Sequence, residues 1–158
     1  MGNIVFNIAK GKVNEYVARV DGNDPANSAL VLVLLKTVEA DATLQDYDTL
    51  AAILAGSNVE ADATGYVRKT VSDTGVTAPT PDDGTNTQSA DITTDPVWAS
   101  IGGASNNNLV KLLVCYDPDT TGGTDANIVP LTAHDFAVTT NGGDITAQLA
   151  AAGFFTAS

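Results

Sequence analysis

The residues with the best claim to chemistry lie in Asp117-Pro-Asp-Thr-Thr-Gly-Gly-Thr-Asp125. Hard cations such as calcium take oxygen ligands from flexible loops, and Asp117, Asp119, Thr121 and Asp125 stand at the odd spacing that an Asp-x-Asp-x-x-Gly loop would use. The match is partial. Ile128 occupies the twelfth position of that frame, where an EF-hand places its bidentate Glu, and the sequence predicts no helix on either flank. Without a metal the same residues make a tight loop, because Asp side chains bond to nearby backbone amides. Asp82-Asp83-Gly84 is a weaker instance of the pattern.

Other chemistries find less material. Nucleophilic catalysis with a Ser or Cys needs a His base in reach, and His134 is the only histidine. It precedes Asp135 in a polar context, without a Gly-x-Ser-x-Gly elbow, and reads as a structural or surface side chain. Cys115 sits inside an apolar run and reads as a small buried hydrophobe. A hydrolase using paired Asp residues is a third-ranked alternative, because the carboxylates cluster in turn sequences and no pair has a distinguishing spacing. Phosphate-cradling glycine loops are missing from the sequence. The expectation is a non-enzymatic protein with no cofactor, calcium being the one weak exception.

The charge balance narrows the partners. Nineteen acidic against seven basic side chains give a formal net charge of -12 over 158 residues, and sixteen of the acids are Asp. Such a chain is repelled by nucleic acid phosphates and by anionic membrane surfaces. The first twelve residues do not read as a secretory signal, and the longest apolar run, Ala29 to Leu35, is far too short to span a bilayer. A single Cys cannot form an internal disulfide, so stability is expected from packing.

The elements that must position these residues follow from periodicity. Ile4 to Ile8 is a candidate strand, and Val13 to about Val20 a second, with Tyr16, Ala18 and Val20 alternating on one face. Turn formers at Asp21 to Asn27 then lead into Ala29-Leu-Val-Leu-Val-Leu-Leu35, a strand buried on both faces or else a piece of buried helix; length and the flanking turn cluster favour the strand, and the two segments then make a hairpin with a long loop. Leu44 to Ala55 is the expected helix. Thr43 and Asp46 offer a capping box, Leu44, Tyr47, Leu50, Ala51 and Leu54 define an apolar face, and Gly56 suits a left-handed C-terminal position. Gly65 to Val71 is a further strand, after which Ser72 to Asp95 reads as a long loop or arm and a candidate contact surface.

The second half repeats the style of the first. Trp98 and the turn cluster Gly102 to Asn108 lead into the apolar strand Leu109 to Tyr116, an echo of the earlier unit that either duplication or shared hairpin rules would produce. A turn at Asp117 to Asn127, a strand at Phe136 to Thr140, a turn at Asn141 to Asp144 and a last strand or short helix through Leu149 and Phe155 complete the chain. The expected fold is mostly β or α+β: one domain over 1-158, an antiparallel sheet or sandwich of six to eight short strands with one packed α-helix, and 72-95 as a loop or arm.

The wording of Val13 to Leu35 resembles that of small virion structural proteins of tailed bacteriophages. The likeness continues through Thr43 to Gly56, Gly65 to Val71, Leu112 to Asp119 and Asn127 to Phe136. It implies a head-associated part, above all a capsid decoration (cement) protein that binds the major capsid protein and stabilises the head. A neck, tail or fibre part is the main competitor, and a secreted calcium- or glycan-binding β-module the alternative from another class. The expected location is the capsid exterior, after synthesis in the bacterial host cytoplasm, with self-association on the particle. Ile4, Val5, Phe6 and Ile8, Pro79 and Pro81 in the long loop, and Trp98 are the candidate contact residues, with an ordinary edge strand as the plainer reading of Ile4 to Ile8.

Overall fold

A computed structural model describes residues 2–158. Twelve strands carry the fold: β1 (Ile4–Val5), β2 (Ala29–Thr37), β3 (Val59–Glu60), β4 (Lys69–Val71), β5 (Val76–Thr77), β6 (Pro81–Asp82), β7 (Thr87–Ile92), β8 (Val97–Trp98), β9 (Asn108–Asp117), β10 (Val129–Thr139), β11 (Ile145–Thr146) and β12 (Phe155–Ala157). Among the described residues three α-helices join them, α1 (Val13–Asp21), α2 (Asp41–Leu44) and α3 (Leu50–Ala55), with two 3-10 turns at Asn7–Ala9 and Asp73–Gly75. The protein is mostly β with antiparallel sheets, as expected, but the described residues form twelve strands in place of six to eight, because several are only two or three residues long, and three α-helices in place of one.

The main sheet has the order β1-β10-β9-β2-β3, with β4 also pairing β2. Its centre is the antiparallel pair β2 and β9, in register from Ala29 opposite Asp117 to Leu35 opposite Lys111. All seven residues from Ala29 to Leu35 are buried, which is what an unbroken apolar run needs: cover on both faces of the sheet. The two apolar strands read from sequence are therefore direct neighbours. Their flanks differ, since a helix precedes β2, whereas β8 and a glycine-rich loop precede β9, and the echo stops at the strands.

The first correction concerns Val13 to Val20, expected as a strand and found as α1. Val13, Val17 and Val20 are fully buried, a spacing of four and three that fits one helix face, and Arg19 pairs with Glu15 one turn away at 2.8 Å. The alternating and the helical patterns coexist in this segment, and packing against β2, β5 and β7 selects the helical one. The second concerns Leu44 to Ala55, which breaks into α2 and α3 around Tyr47. Thr43 caps nothing; Thr49 does, its Oγ1 accepting the Ala52 amide at 3.1 Å. Gly56 is extended (φ -76°, ψ -156°), so its need for glycine is space: a Cβ would collide with the Tyr47 hydroxyl.

Only Lys69–Val71 of the expected strand Gly65 to Val71 is extended in the sheet, because Gly65 turns the chain at φ +78°. The stretch 72-95 is not one structureless loop or arm. It contains β5, β6 and β7, and β7 is the centre of a second sheet, pairing β5 and β6 on its hairpin side and the carboxy-terminal β12 as well. Ala90 and Ile92 supply the buried positions that anchor it, and α1 packs between this sheet and the main one. No helix among the described residues is long and apolar enough to cross a membrane.

Candidate functional site

The acidic loop that opened the chemical reading is held by its own hydrogen bonds. Asp117 is buried, and its Oδ1 accepts the Asp119 amide at 3.0 Å; Asp119 Oδ1 in turn accepts the amide and hydroxyl of Thr121 at 2.9 and 2.6 Å. Those Thr121 bonds hold the Asp119 carboxyl below its ordinary value. Asp125 points elsewhere, to Arg68. The structure thus draws Asp125 away from Asp117 and Asp119, and among the described residues no three His, Cys, Asp or Glu side chains gather as a cation cage. This is the turn chemistry that Asp favours.

Arg68 is the centre of a charged cluster with two carboxylates. Its Nε and Nη2 donate to the two oxygens of Glu60 at 2.8 and 2.7 Å, and its Nη1 and Nη2 donate to the two oxygens of Asp125 at 2.6 and 3.0 Å. Tyr66 Oη donates to Glu60 at 2.9 Å and accepts the Leu34 amide at 3.1 Å. Burial raises the pKa of the Tyr66 hydroxyl, and the hydrogen bonds that Arg68 donates to Glu60 and then Asp125 raise its own, so its charge is permanent. The loop also binds the α3 backbone, with Ala51 and Leu50 amides donating to the carbonyls of Asp125 and Ile128. The guanidinium therefore ties β3, the segment before β4, and the acidic loop into one unit.

Lys111 is the second centre, and sequence reasoning passed over it. It lies in β9 with its side chain fully buried; its ammonium stands 2.7 Å from Asp135 and 3.1 Å from Asp41, and it donates to the Gly2 carbonyl. The Gly2 amide bonds Asp41 at 2.6 Å and the Asp135 amide bonds Asn3 at 3.1 Å. Burial pushes the Asp41 carboxyl up, but the Gly2 amide and Lys111 outweigh it and the net direction is down. One lysine inside an apolar strand sequence was the available signal, since a buried ammonium requires paired anions.

The candidate contact residues divide. Ile4 and Val5 are half-buried and pair with Ala133 and Thr132 at the edge of the main sheet, so the plainer edge-strand reading describes them. The expected strand ends at Val5, because Asn7–Ala9 turn as a 3-10 helix; Phe6 is fully buried and Ile8 half-buried against the core, which removes Phe6 from any free surface. Trp98 is also removed: it is 1% exposed, donates its indole N–H to the Val67 carbonyl at 2.9 Å and packs 6.5 Å from Phe136. Its size and apolar ring make it core material. Pro79 is half-buried and Pro81 exposed at the edge of the second sheet.

No family model, no curated protein and no solved structure matches this chain. Packing explains the two remaining groups singled out from the sequence, His134 and Cys115. His134 lines a groove of about 270 Å³ with Asn3, Asp135, Phe136, Leu149 and Phe154, and its Nε2 lies 2.9 Å from the Thr132 hydroxyl. Burial, then Lys111, lowers its pKa below 6.5, so the imidazole is neutral at pH 7. Cys115 is fully buried and desolvation raises its thiol pKa, leaving an unreactive sulfur.

Proposed function

We propose that this chain is a virion structural protein of a tailed bacteriophage, a capsid decoration protein that binds the major capsid protein on the outside of the head and stabilises it, without catalysis. The observation that carries the reading is the resemblance over Val13 to Leu35, Thr43 to Gly56, Gly65 to Val71, Leu112 to Asp119 and Asn127 to Phe136. Attachment over a broad face asks for a rigid body with sheet edges to offer, and needs no cofactor. Two charged centres that lock separate segments together agree with the demand for a rigid body. A net charge of -12 suits an outward-facing subunit better than one lining packaged nucleic acid.

Mass spectrometry of purified particles is the test. A head decoration protein is found there at high copy, in proportion to the major capsid protein. Recovery at a few copies with tail components moves the assignment to the neck, tail or fibre, and recovery from infected-cell lysate alone overturns the virion reading.

A further inference from the structure

Beside β4 lies an open slot of about 380 Å³ between two antiparallel stretches of chain, Lys69 to Gly75 on one side and Ile92 to Val97 on the other. The stretches are pinned together at both ends. At one end Thr93 donates its amide and its hydroxyl to the Gly75 carbonyl at 2.9 and 3.2 Å; at the other the Trp98 indole holds the Val67 carbonyl. Between the pins the walls part, so the slot is preformed.

The β4 wall offers backbone. Leu34 directs its carbonyl to the Ala61 amide and its own amide to Tyr66 Oη, which places the polar groups of Leu34 on the β3 and β4 side of β2. Leu32 and Leu30, two and four residues earlier, turn the same way, so their partners Lys69 and Val71 carry the ladder bonds. Thr70 between them therefore turns its N–H and C=O outward, along the slot. Hydroxyls of Ser72, Thr74, Thr93 and Thr94 line the rest, and Val97, 40% exposed, adds an apolar contact. Lys69 is the only cation in the lining, and no carboxylate lies within ion-pair distance of it among the described residues.

We propose that this slot receives an extended segment of the capsid partner, paired to the Thr70 backbone as an added strand and carrying an acidic side chain opposite Lys69; this rests on the attachment proposed above. An outward amide and carbonyl select extended backbone, and an unpaired ammonium in a strongly acidic protein selects a carboxylate. The segment is short, so the contact supplies register and specificity while a broader face supplies area.

The test adds purified full-length chain to particles produced without it and measures the bound amount by sedimentation and mass spectrometry. Thr70→Pro deletes the outward donor, whose N–H takes no part in the pairing with β2, and Lys69→Glu reverses the charge. Both variants are expected to bind about tenfold more weakly or worse at an unchanged melting temperature. Wild-type binding by both variants overturns the slot and leaves attachment standing, and failure of the wild-type chain to bind overturns attachment itself. Should Thr70→Pro unfold, Lys69→Glu decides alone. Lys69→Ala separates docking from the guarding role of an edge lysine: weaker particle binding by a monomer supports the slot, and self-association with undiminished particle binding overturns it.

Discussion

Arg68 and Asp125 stand 57 positions apart in sequence and meet through two charge-assisted hydrogen bonds, Nη1 to Oδ1 at 2.6 Å and Nη2 to Oδ2 at 3.0 Å. The same guanidinium holds Glu60 by a second fork, and its side chain is 28% exposed. Replacing it strands two carboxylates against the β3 and β4 side of the sheet. Arg68→Met is expected to cost roughly 2–3 kcal/mol in urea unfolding, below the cost of breaking a fully buried pair because solvent screens part of the cluster. Arg68→Lys is expected to recover less than half of the loss, since one ammonium cannot serve two forks. A loss within error for Arg68→Met would show that the cluster contributes no net stability.

Acid acts on the folded chain in two steps. Burial, then Lys111, depresses His134 below 6.5, so the unfolded chain binds the extra proton first and stability falls as pH drops below that value. Arg68 holds Asp125 below its ordinary 3.8, and the Gly2 amide with Lys111 does the same to Asp41 despite burial. Stability from these depressed carboxyls is fully present above about pH 4 and is lost as pH falls through their folded values. Melting temperatures between pH 8 and pH 2.5 are expected to show a shallow decline below pH 6.5 and a steeper one below pH 4. His134→Gln should remove the first, and Asp125→Asn should flatten the second.

Lys111 governs the amino-terminal segment. Lys111→Met keeps the stem's packing but leaves Asp41, Asp135 and the Gly2 carbonyl facing one another without a cation. The expected loss is roughly 3 kcal/mol. Amide exchange at Phe6, which donates to the Leu131 carbonyl at 3.0 Å, is expected to accelerate more than exchange in β2. Equal acceleration at both sites would mean that Lys111 stabilises the whole fold and not the attachment of β1.

Cys115 is expected to be silent. Its thiol is fully buried between Val31 and Pro130 across the sheet, and desolvation disfavours the thiolate. A thiol-reactive dye should label it only at the rate of global unfolding in buffer and at once in 6 M urea or stronger denaturant. Rapid labelling of the native chain would contradict its position in the core.

Legibility from sequence differed by element for physical reasons. The buried strands β2 and β9 were readable because each carries a short apolar run, seven residues in β2 and one broken by Lys111 in β9, bounded by turn formers and too short for a typical helix. In α1 Tyr16, Ala18 and Val20 fit the alternating period while Val13, Val17 and Val20 fit the helical one, and the β-branched residues argued for the strand; only the neighbours that cover Val13, Val17 and Val20 settle it. The split at Tyr47 was unreadable because two capping threonines, Thr43 and Thr49, compete, and the winner is the one whose helix then meets the carbonyls of Asp125 and Ile128. In 72-95, few large side chains mark the strands, so pairing with β12 from the far end of the chain had no local signal.

What the sequence by itself determined is composition-driven: a β-rich, acidic chain whose core gathers on two central strands, with turns rich in Asp and Asn. What tertiary structure alone decided is the fate of individual polar and aromatic side chains. Asp125 became an anchor for Arg68 and not a ligand beside Asp117, Lys111 became a buried cation between two carboxylates, and Trp98 turned inward. The reason is range. Apolar patterning acts between neighbours in sequence, whereas a charge or an indole N–H takes its role from whichever partner the fold brings within three ångströms.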